Sequence, residues 1–547
     1  MSGAHPDLIV VNAQVHTDGP GITSVAVTDG RISALSREPL PAGPRTEVVD
    51  AGGATLLPGF TDAHVHPLAA GAQLLTCDLA RLPHSPDRYR ETIRAYAEAH
   101  PDQEWISGNG WYGDTFPGGL PDRRFLDEIV PDRPAVFFSH DGHGVWVNSR
   151  ALERAGIDDR TPDPANGRIN RDADGVATGV LVERAGDLVS DLLPPLTEAF
   201  LERAFLAAQR HLHAVGVTGW QDACLGPLFG MPDPLPLYRR LAADGRLTAR
   251  VVGALWWEAG DGLAQLDSIE ERRATSTIGR FRATTVKVMQ DGVCENCTGA
   301  MLAPYSGGGH HGTASGLSFI DPAELAGICR ELDGRGFQIH LHAVGDRAVR
   351  ECLDALEAAH REGDLRHQIA HLDVVDPADV PRFAELGVIA NIQALWARRD
   401  KEIVERKLPL LGPEREPMHF PFGALHRAGA RLAMGSDWPV TDPNPLWAIH
   451  TAATRLGVPE DPHSVGEGVF TEPLEARQAI DFRVALDAYT AGSAYANHAE
   501  HELGSIKPGH KADLALLDRP ILDGGAGATA ARTVLTLVDG RPVHDAR

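Results

Sequence analysis

The chain has 547 residues, 43% hydrophobic and 23% charged, the balance of an ordinary globular protein with room for one large domain and satellites. With 75 acidic against 51 basic side chains it carries a formal net charge of −24. Such a surface repels phosphate backbones and anionic lipid headgroups, which argues against nucleic acid or membrane as a partner. No run approaches the ~18 uninterrupted apolar residues of a membrane span, and the first twenty residues lack the pattern of a secretory signal. Six cysteines, at 77, 224, 294, 297, 329 and 352, fit no disulfide framework. A reducing compartment is therefore expected, and with it a cytoplasmic location.

From the N-terminus, "DLIVVNAQVHT" and "SVAVTDGRISAL" read as short strands, with Asp29-Gly30 a hairpin turn between β-rich runs. At the other end "KADLALLDRP" and "TVLTLVDGRPVHD" repeat the strand, Asp-Gly, strand pattern. Residues 1–56 and 497–547 are thus expected to form one small β-sandwich.

The region 57–496 repeats a different unit, an apolar or β-branched run that ends in a polar residue and leads into helical spacing. Eight such runs stand at 56–66, 216–223, 247–255, 284–292, 337–346, 366–375, 387–396 and 431–440. Between them lie segments such as "DPAELAGICRELDGRG", where Asp321 and Pro322 offer a cap and a first-turn residue. Eight strand-helix units predict an α/β fold, the (β/α)8 TIM barrel. His66 and Thr218 are much further apart than the roughly 30 residues of a βαβ unit, so an inserted capping region of about 68–210 is expected after strand 1. Its "GNGWYGDTFPGG" and "SHDGHGVWVNSRAL" are rich in the aromatic and polar residues that line small-molecule pockets.

The run "PGFTDAHVHP" places His64 and His66 on one face of a strand, because side chains alternate in β structure. At the C-terminal end of a barrel strand that face can be the active-site mouth. Two core histidines satisfied by hydrogen bonds would explain the pair equally well on its own. Other runs, however, carry potential ligands at comparable points: Lys287 on strand 4, His340 and His342 on strand 5, His371 on strand 6 and Asp437 on strand 8. Nitrogen and carboxylate ligands suit Zn²⁺, and an open position for water marks a catalytic site. His340 and His342 share parity, so spacing does not choose between them. Asp437 can alternatively cap the following helix, and Lys287 can pair with Asp291.

These motifs, with "VKVMQDG", "HLHAVGDRAV", "IAHLDVV", "GSDWPV", "AYTAGSAYA" and "GSIKPGHKADLALLD", resemble the amidohydrolase superfamily of metal-dependent hydrolases, in its YtcJ-like branch that includes N-substituted formamide deformylases. The resemblance spans nearly the whole chain. It implies that His64, His66 and Asp437 hold one metal and His342 and His371 a second, with Lys287 bridging them as its carbon dioxide adduct. Two Zn²⁺ are implied, although a single metal, or manganese, iron or cobalt, suits the same ligands. The pair would hold a hydroxide and polarise a carbonyl, with Asp437 passing the water's proton to the leaving nitrogen. His143, in the best-matching motif of the inserted region, would hydrogen-bond the substrate carbonyl or oxyanion. His340 would orient a ligand or fill the barrel.

Further pocket candidates are Asn109, Trp111, Tyr112, Glu183, Gln393, Trp396 and Trp438, with Glu295 and Asn296 from the loop after strand 4. "CENC", Cys294 to Cys297, follows a barrel strand rather than opening a small βαβ fold and reads as a loop with incidental thiols. "GGGHHG", residues 307–312, reads as a flexible excursion able to serve as a lid. No GxGxxG fingerprint suggests a nucleotide. The expected activity is hydrolysis of a non-peptide carbon-nitrogen bond in a small amide, an N-substituted formamide or another N-acyl amine. The same centre suits a cyclic amidase, a deaminase, or an esterase or lactonase, and a metal-binding scaffold without activity is the reading from outside the enzymes. A homodimer is the default from symmetry statistics.

Overall fold

Two Asp-Gly turns set the small terminal unit. Asp29-Gly30 and Asp539-Gly540 both adopt positive φ, at 50° and 72° and at 49° and 69°, the conformation that a two-residue hairpin requires and that glycine adopts without strain. The first turn joins Ser24–Thr28 to Arg31–Ser36 and the second joins Thr533–Val538 to Arg541–Asp545. In this computed structural model, which describes residues 5–116, 120–228, 230–308, 314–359 and 363–547, strands from both chain ends form two sheets. One runs Arg31–Ser36, Ser24–Thr28, Leu8–Val11, Glu47–Asp50; the other runs Gln14–Val15, Thr55–Pro58, Leu514–Leu517, Thr533–Val538, Arg541–Asp545. They share one apolar cluster that includes Val10, Val25, Val27, Leu56, Leu514 and Leu537.

The strand Thr55–Pro58 continues through Gly59 into the first of eight parallel strands: β1 (Phe60–Val65), β2 (Val217–Leu225), β3 (Arg250–Trp256), β4 (Phe281–Met289), β5 (Gln338–Ala343), β6 (Gln368–His371), β7 (Ile389–Ile392) and β8 (Leu432–Met434). All eight runs expected to be strands are present, each paired to its successor. The ring closes just beyond β8. Asp437 N donates to His64 O at 2.7 Å, His66 N to Trp438 O at 2.9 Å, and Asn391 Nδ2 to Ala63 O at 3.0 Å. Helices such as Pro322–Gly334 cover the outside. Its start is capped by Asp321, which accepts from Ala323 N and Glu324 N, and Leu325, Ile328, Cys329 and Leu332 form its buried stripe.

The span of about 68–210 divides into two parts. A six-stranded sheet occupies its centre, in the order Gly167–Arg171, Ala177–Glu183, Gly144–Val147, Ala135–Ser139, Ile106–Trp111, Cys77–Asp78. The helices at its edges, Pro67–Gln73 and Glu198–Ala214, belong to the barrel instead, because Leu68, Ala204, Phe205 and Leu212 join the cluster that holds Phe60, Val65 and Val217. Glu198–Ala214 turns one buried stripe toward the barrel and Pro67–Gln73 is buried along its whole length, and sequence spacing could not distinguish either from packing within the cap. Among the described residues no helix is long and apolar enough to cross a membrane.

Gly435 makes the closure possible. A Cβ there would stand 2.5 Å from His64 N and 2.8 Å from His64 Cβ. Gly435→Ala is therefore expected to force β1 and β8 apart and cost about 1–3 kcal/mol of stability. Urea unfolding read alongside metal content checks this; an unchanged midpoint with full metal content would show that the closure tolerates the methyl group.

Candidate active site and metal centre

Parallel pairing delivers the ends of all eight strands to one rim, and six of the expected side chains meet there. The ligand atoms of His64, His66 and Asp437 all lie within 4.8 Å of one another. Asp437 Oδ1 is 3.0 Å from His66 Nε2 and 3.3 Å from His64 Nε2. Lys287 Nζ stands 3.4 Å from His64 Nε2, His371 Nδ1 is 3.8 Å from Asp437 Oδ2, and the rings of His342 and His371 are 4.3 Å apart between centroids. Asp437 and His371 hold positive φ of 56° and 78°. Non-glycine residues enter this left-handed region at a cost, which the surrounding packing imposes at both positions.

The donor set fits a divalent cation. Burial, and then the neighbouring Lys287 amine, drive His64, His340 and His342 well below the ordinary imidazole range; for His371 burial is followed by His342 and then Lys287. These rings are neutral electron-pair donors. Asp437 Oδ1 and His371 Nδ1 are buried and take part in no hydrogen bond among the described residues, although unpaired polar atoms inside a protein are costly. A shared cation would satisfy both. Burial also pulls the Lys287 ammonium down to about 8, against the opposing pull of Asp437.

His340 and His342 separate by depth. His342 reaches the wall of a cavity of about 610 Å³ above the cluster. His340 lies beneath it, fully buried, with Nε2 2.9 Å from His64 Nδ1. His64, His66, Lys287, His371 and Asp437 form the cavity floor with His342.

A family model for the amidohydrolase family matches residues 47–544, most of the chain and every one of these positions. The chain belongs to the amidohydrolase family. Curated relatives run along almost its full length. Protein LONG AFTER FAR-RED 3 of Arabidopsis thaliana is 30% identical, covering 99% of this chain and 92% of its own. The putative amidohydrolase YtcJ of Bacillus subtilis is 28% identical, with 91% of each chain covered. N-substituted formamide deformylase of Arthrobacter pascens is 28% identical, with 98% of this chain and 97% of its own covered. In fold, the crystal structure of a metal-dependent hydrolase from Pyrococcus horikoshii superposes with a TM-score of 0.71 at 23% identity, over 95% of this chain and 99% of that one.

In this amidohydrolase the cap contributes a second polar group to the cavity. His143 Nδ1 lies 2.9 Å from Glu183 Oε2, and Thr298 Oγ1 donates to Glu183 Oε1 at 2.7 Å. Burial alone would lower His143, but the Glu183 carboxylate outweighs it and holds the imidazole up at about 9. Glu183 sits at φ 52°, ψ −133°, a conformation that is strained for a residue with a Cβ. Tyr112, Glu295 and Trp396 also line the cavity, and Trp396 stacks on His371 with centroids 5.2 Å apart.

Four expected pocket residues are placed elsewhere. Trp111 is packed in the cap core near Trp146 and donates from Nε1 to Phe137 O at 2.9 Å. Asn109 donates to Thr76 Oγ1 within the cap. Gln393 lies under the cavity and accepts from His371 N at 2.9 Å. Trp438 turns away from this cavity, remains buried, stacks on His211 at 5.0 Å and borders a separate, smaller cavity. Each follows an aromatic or polar pattern that also serves packing, and only the tertiary fold sets the direction. Asn296 is buried below the cavity wall, donating weakly to His143 O at 3.5 Å. Cys294 and Cys297 are buried in an apolar cluster with Met301 and Tyr305 and form no disulfide, and His310 and His311 of the Gly-rich excursion lie outside the described residues.

Sequence reasoning missed the segment after β7. Arg398, Asp400, Glu402 and Lys407 line the cavity, and Lys407 is clamped by Asp373 at 2.5 Å and Glu295 at 2.7 Å. The available signal was the charge-dense "ARRDKEIVERK" directly behind a strand end on the ligand rim.

The His143–Glu183 pair makes stability depend on pH. Below about pH 6.5 folded and unfolded chains both carry the His143 proton; between there and about 9 the folded chain alone does. The pair's contribution is therefore complete at low pH and declines as pH rises through about 9. Glu183→Gln should flatten this part of the curve of unfolding free energy against pH, and an undiminished slope in the variant would assign the effect to other groups.

Proposed function

We propose that this amidohydrolase cleaves the carbon-nitrogen bond of a small, non-peptide amide, an N-substituted formamide or another N-acyl amine, and releases an amine and a short carboxylic acid. The observation that carries the proposal is the convergence of four imidazoles, a lysine and an aspartate from the ends of five strands at the floor of one cavity. The full-length similarity to an N-substituted formamide deformylase supports the choice of bond.

In this reading His64, His66 and Asp437 would hold one divalent metal, zinc in the simplest case, and His342 and His371 would hold a second, with Lys287 completing the ligand set. Burial favours the neutral amine of Lys287. That amine adds to carbon dioxide, forming the N–C bond of a carbamate and releasing one proton, which turns a would-be cation into an anionic ligand. When bound, the metals supply Lewis acidity toward a carbonyl oxygen and toward water.

The protein's own groups do the rest. Asp437, at the mouth of the ligand cluster, takes the proton lost by the attacking water and delivers it to the departing nitrogen, because an unprotonated amide nitrogen is a very poor leaving group. His143, held protonated by Glu183, donates a hydrogen bond to the acyl oxygen as negative charge develops on it. Tyr112, Trp396 and Glu295 line the space left for the amine substituent.

A panel of N-substituted formamides and acetamides, assayed for amine release with and without a chelator, tests the reading. Chelator-sensitive turnover of at least one member is expected; no turnover of any member by the zinc-loaded protein would defeat it. Asp437→Asn is expected to retain most of the metal while kcat falls by roughly 10² to 10⁴-fold, and near-normal kcat would remove Asp437 from the proton path. Lys287→Ala should bind fewer metals per chain by elemental analysis, with short carboxylates restoring part of the activity; undiminished metal stoichiometry would leave the lysine without a bridging role.

A further inference from the structure

The interior of a parallel eight-stranded barrel is ordinarily filled by branched apolar side chains. Here a layer directly below the cluster is built from amides. Gln221 on β2, Gln338 on β5, Gln368 on β6 and Asn391 on β7 are all buried, and their hydrogen bonds form one connected chain beneath His64.

The orientation of each amide can be read from fixed backbone groups. Gln338 Nε2 donates to two carbonyls, Arg366 O at 2.8 Å and Ala496 O at 2.7 Å. Its Oε1 must then accept, and it does so from Thr285 Oγ1 at 2.7 Å and Gln221 Nε2 at 3.1 Å. Gln221 Nε2 uses its other hydrogen on Asn497 Oδ1 at 3.1 Å, which leaves Gln221 Oε1 as an acceptor. A second anchor gives the same answer. Asn391 Nδ2 donates to Ala63 O at 3.0 Å and to Gln368 Oε1 at 2.8 Å, so Gln368 Nε2 donates to Gln221 Oε1 at 2.7 Å.

Facing that acceptor is His340 Nδ1, at 2.5 Å. It must carry a hydrogen. Both polar partners of His340 are neutral, so the ring holds a single proton and its Nε2 offers a lone pair to His64 Nδ1, 2.9 Å away. His64 Nδ1 is then the protonated nitrogen. The remaining nitrogen, Nε2, is the one that stands 3.3 Å from Asp437 Oδ1 and 3.4 Å from Lys287 Nζ.

We infer that Gln338, Gln221 and His340 are positioning residues that fix the proton of His64 on Nδ1 and so present its Nε2 as an electron-pair donor to a divalent cation. The inference rests on reading His64 as a metal ligand. It gives a role to amides that otherwise occupy a layer suited to leucine and valine, and it explains why two histidines on β5 share a face although only His342 reaches the cavity. An imidazole ligand whose other nitrogen is tied to a fixed acceptor is held in one tautomer and one ring orientation, and loss of such a partner weakens metal binding by roughly 10 to 100-fold.

Two measurements on the full chain test this. In the metal-free wild type labelled with ¹⁵N-histidine, two-bond ¹⁵N–¹H correlations should show His64, identified by its loss in His64→Asn, as the Nδ1–H tautomer; an Nε2–H tautomer overturns the inference without any further variant. Zinc affinity by chelator competition should fall about 10 to 100-fold in His340→Phe and recover most of the way in His340→Gln, whose amide keeps a donor and an acceptor. A folded His340→Phe with wild-type affinity, or equal losses in the two variants, would also overturn it. A wild type that binds no zinc would instead remove the proposed metal centre, so the two failures are distinguishable.

Discussion

The site depends on a seam between the first and last barrel strands. The backbone bonds from Asp437 N to His64 O and from His66 N to Trp438 O bring the Asp437 carboxylate to 3.3 Å from His64 Nε2 and 3.0 Å from His66 Nε2, although the residues lie far apart in the chain. Side chains at the seam are too close for independent adjustment. Asp62 ties it from below, accepting from His64 N at 3.1 Å, Ser436 N at 3.0 Å and Tyr489 Oη at 3.3 Å. Burial pushes its carboxyl up to about 7. Every other side chain of the cluster is placed relative to this seam by parallel pairing, one strand at a time around the ring.

Above the seam, charge is handled by local pairing. A buried ion is tolerated when partners replace its hydration, and the cavity wall follows that rule with groups drawn from separate elements. Lys407 is matched by Asp373 beyond β6 and Glu295 beyond β4, and Arg398 by Asp461 at 2.7 Å and Asp400 at 3.1 Å. His143 and Glu183 bring a further pair from the cap. With Thr298 Oγ1 donating to Glu183 and Lys401 Nζ to Asp114 O, these contacts bind the cap, the loop after β7 and the barrel rim into one wall. Substrate selection on such a scaffold is expected to follow the wall rather than the floor, since the floor is built from groups that any carbonyl substrate would need.

Below the seam, the polar layer does a different kind of work. Amides inside a barrel are costly unless every donor and acceptor is used, and here the donors of Gln221, Gln338 and Asn391 each find two acceptors. A fully used network is rigid, and because it ends on three backbone carbonyls, Arg366 O, Ala496 O and Ala63 O, it has one consistent hydrogen-bond direction. Leucine and valine at the same positions would fill the volume but could not specify a proton.

Much of this was legible in the residues themselves. The eight strand runs, the Asp-Gly turns and the parity of His64 and His66 follow from local rules, since periodicity and turn chemistry act over a few residues. The histidines, lysine and aspartate at successive strand ends were visible for the same reason. Depth and direction were not. Parity put His340 and His342 on one face, but only closure of the ring decides that one reaches the cavity and the other lies beneath it. Trp111, Gln393 and Trp438 have the composition of pocket residues, yet the pleat and the path of each loop turn them into the cap core, the layer below and a smaller cavity beside His211. Gln221 and Gln338 passed as polar residues within apolar strands, because a hydrogen-bond chain across four strands leaves no mark in any one of them. Local sequence determined which elements form and which chemistry they carry; long-range pairing alone decided which of those groups meet.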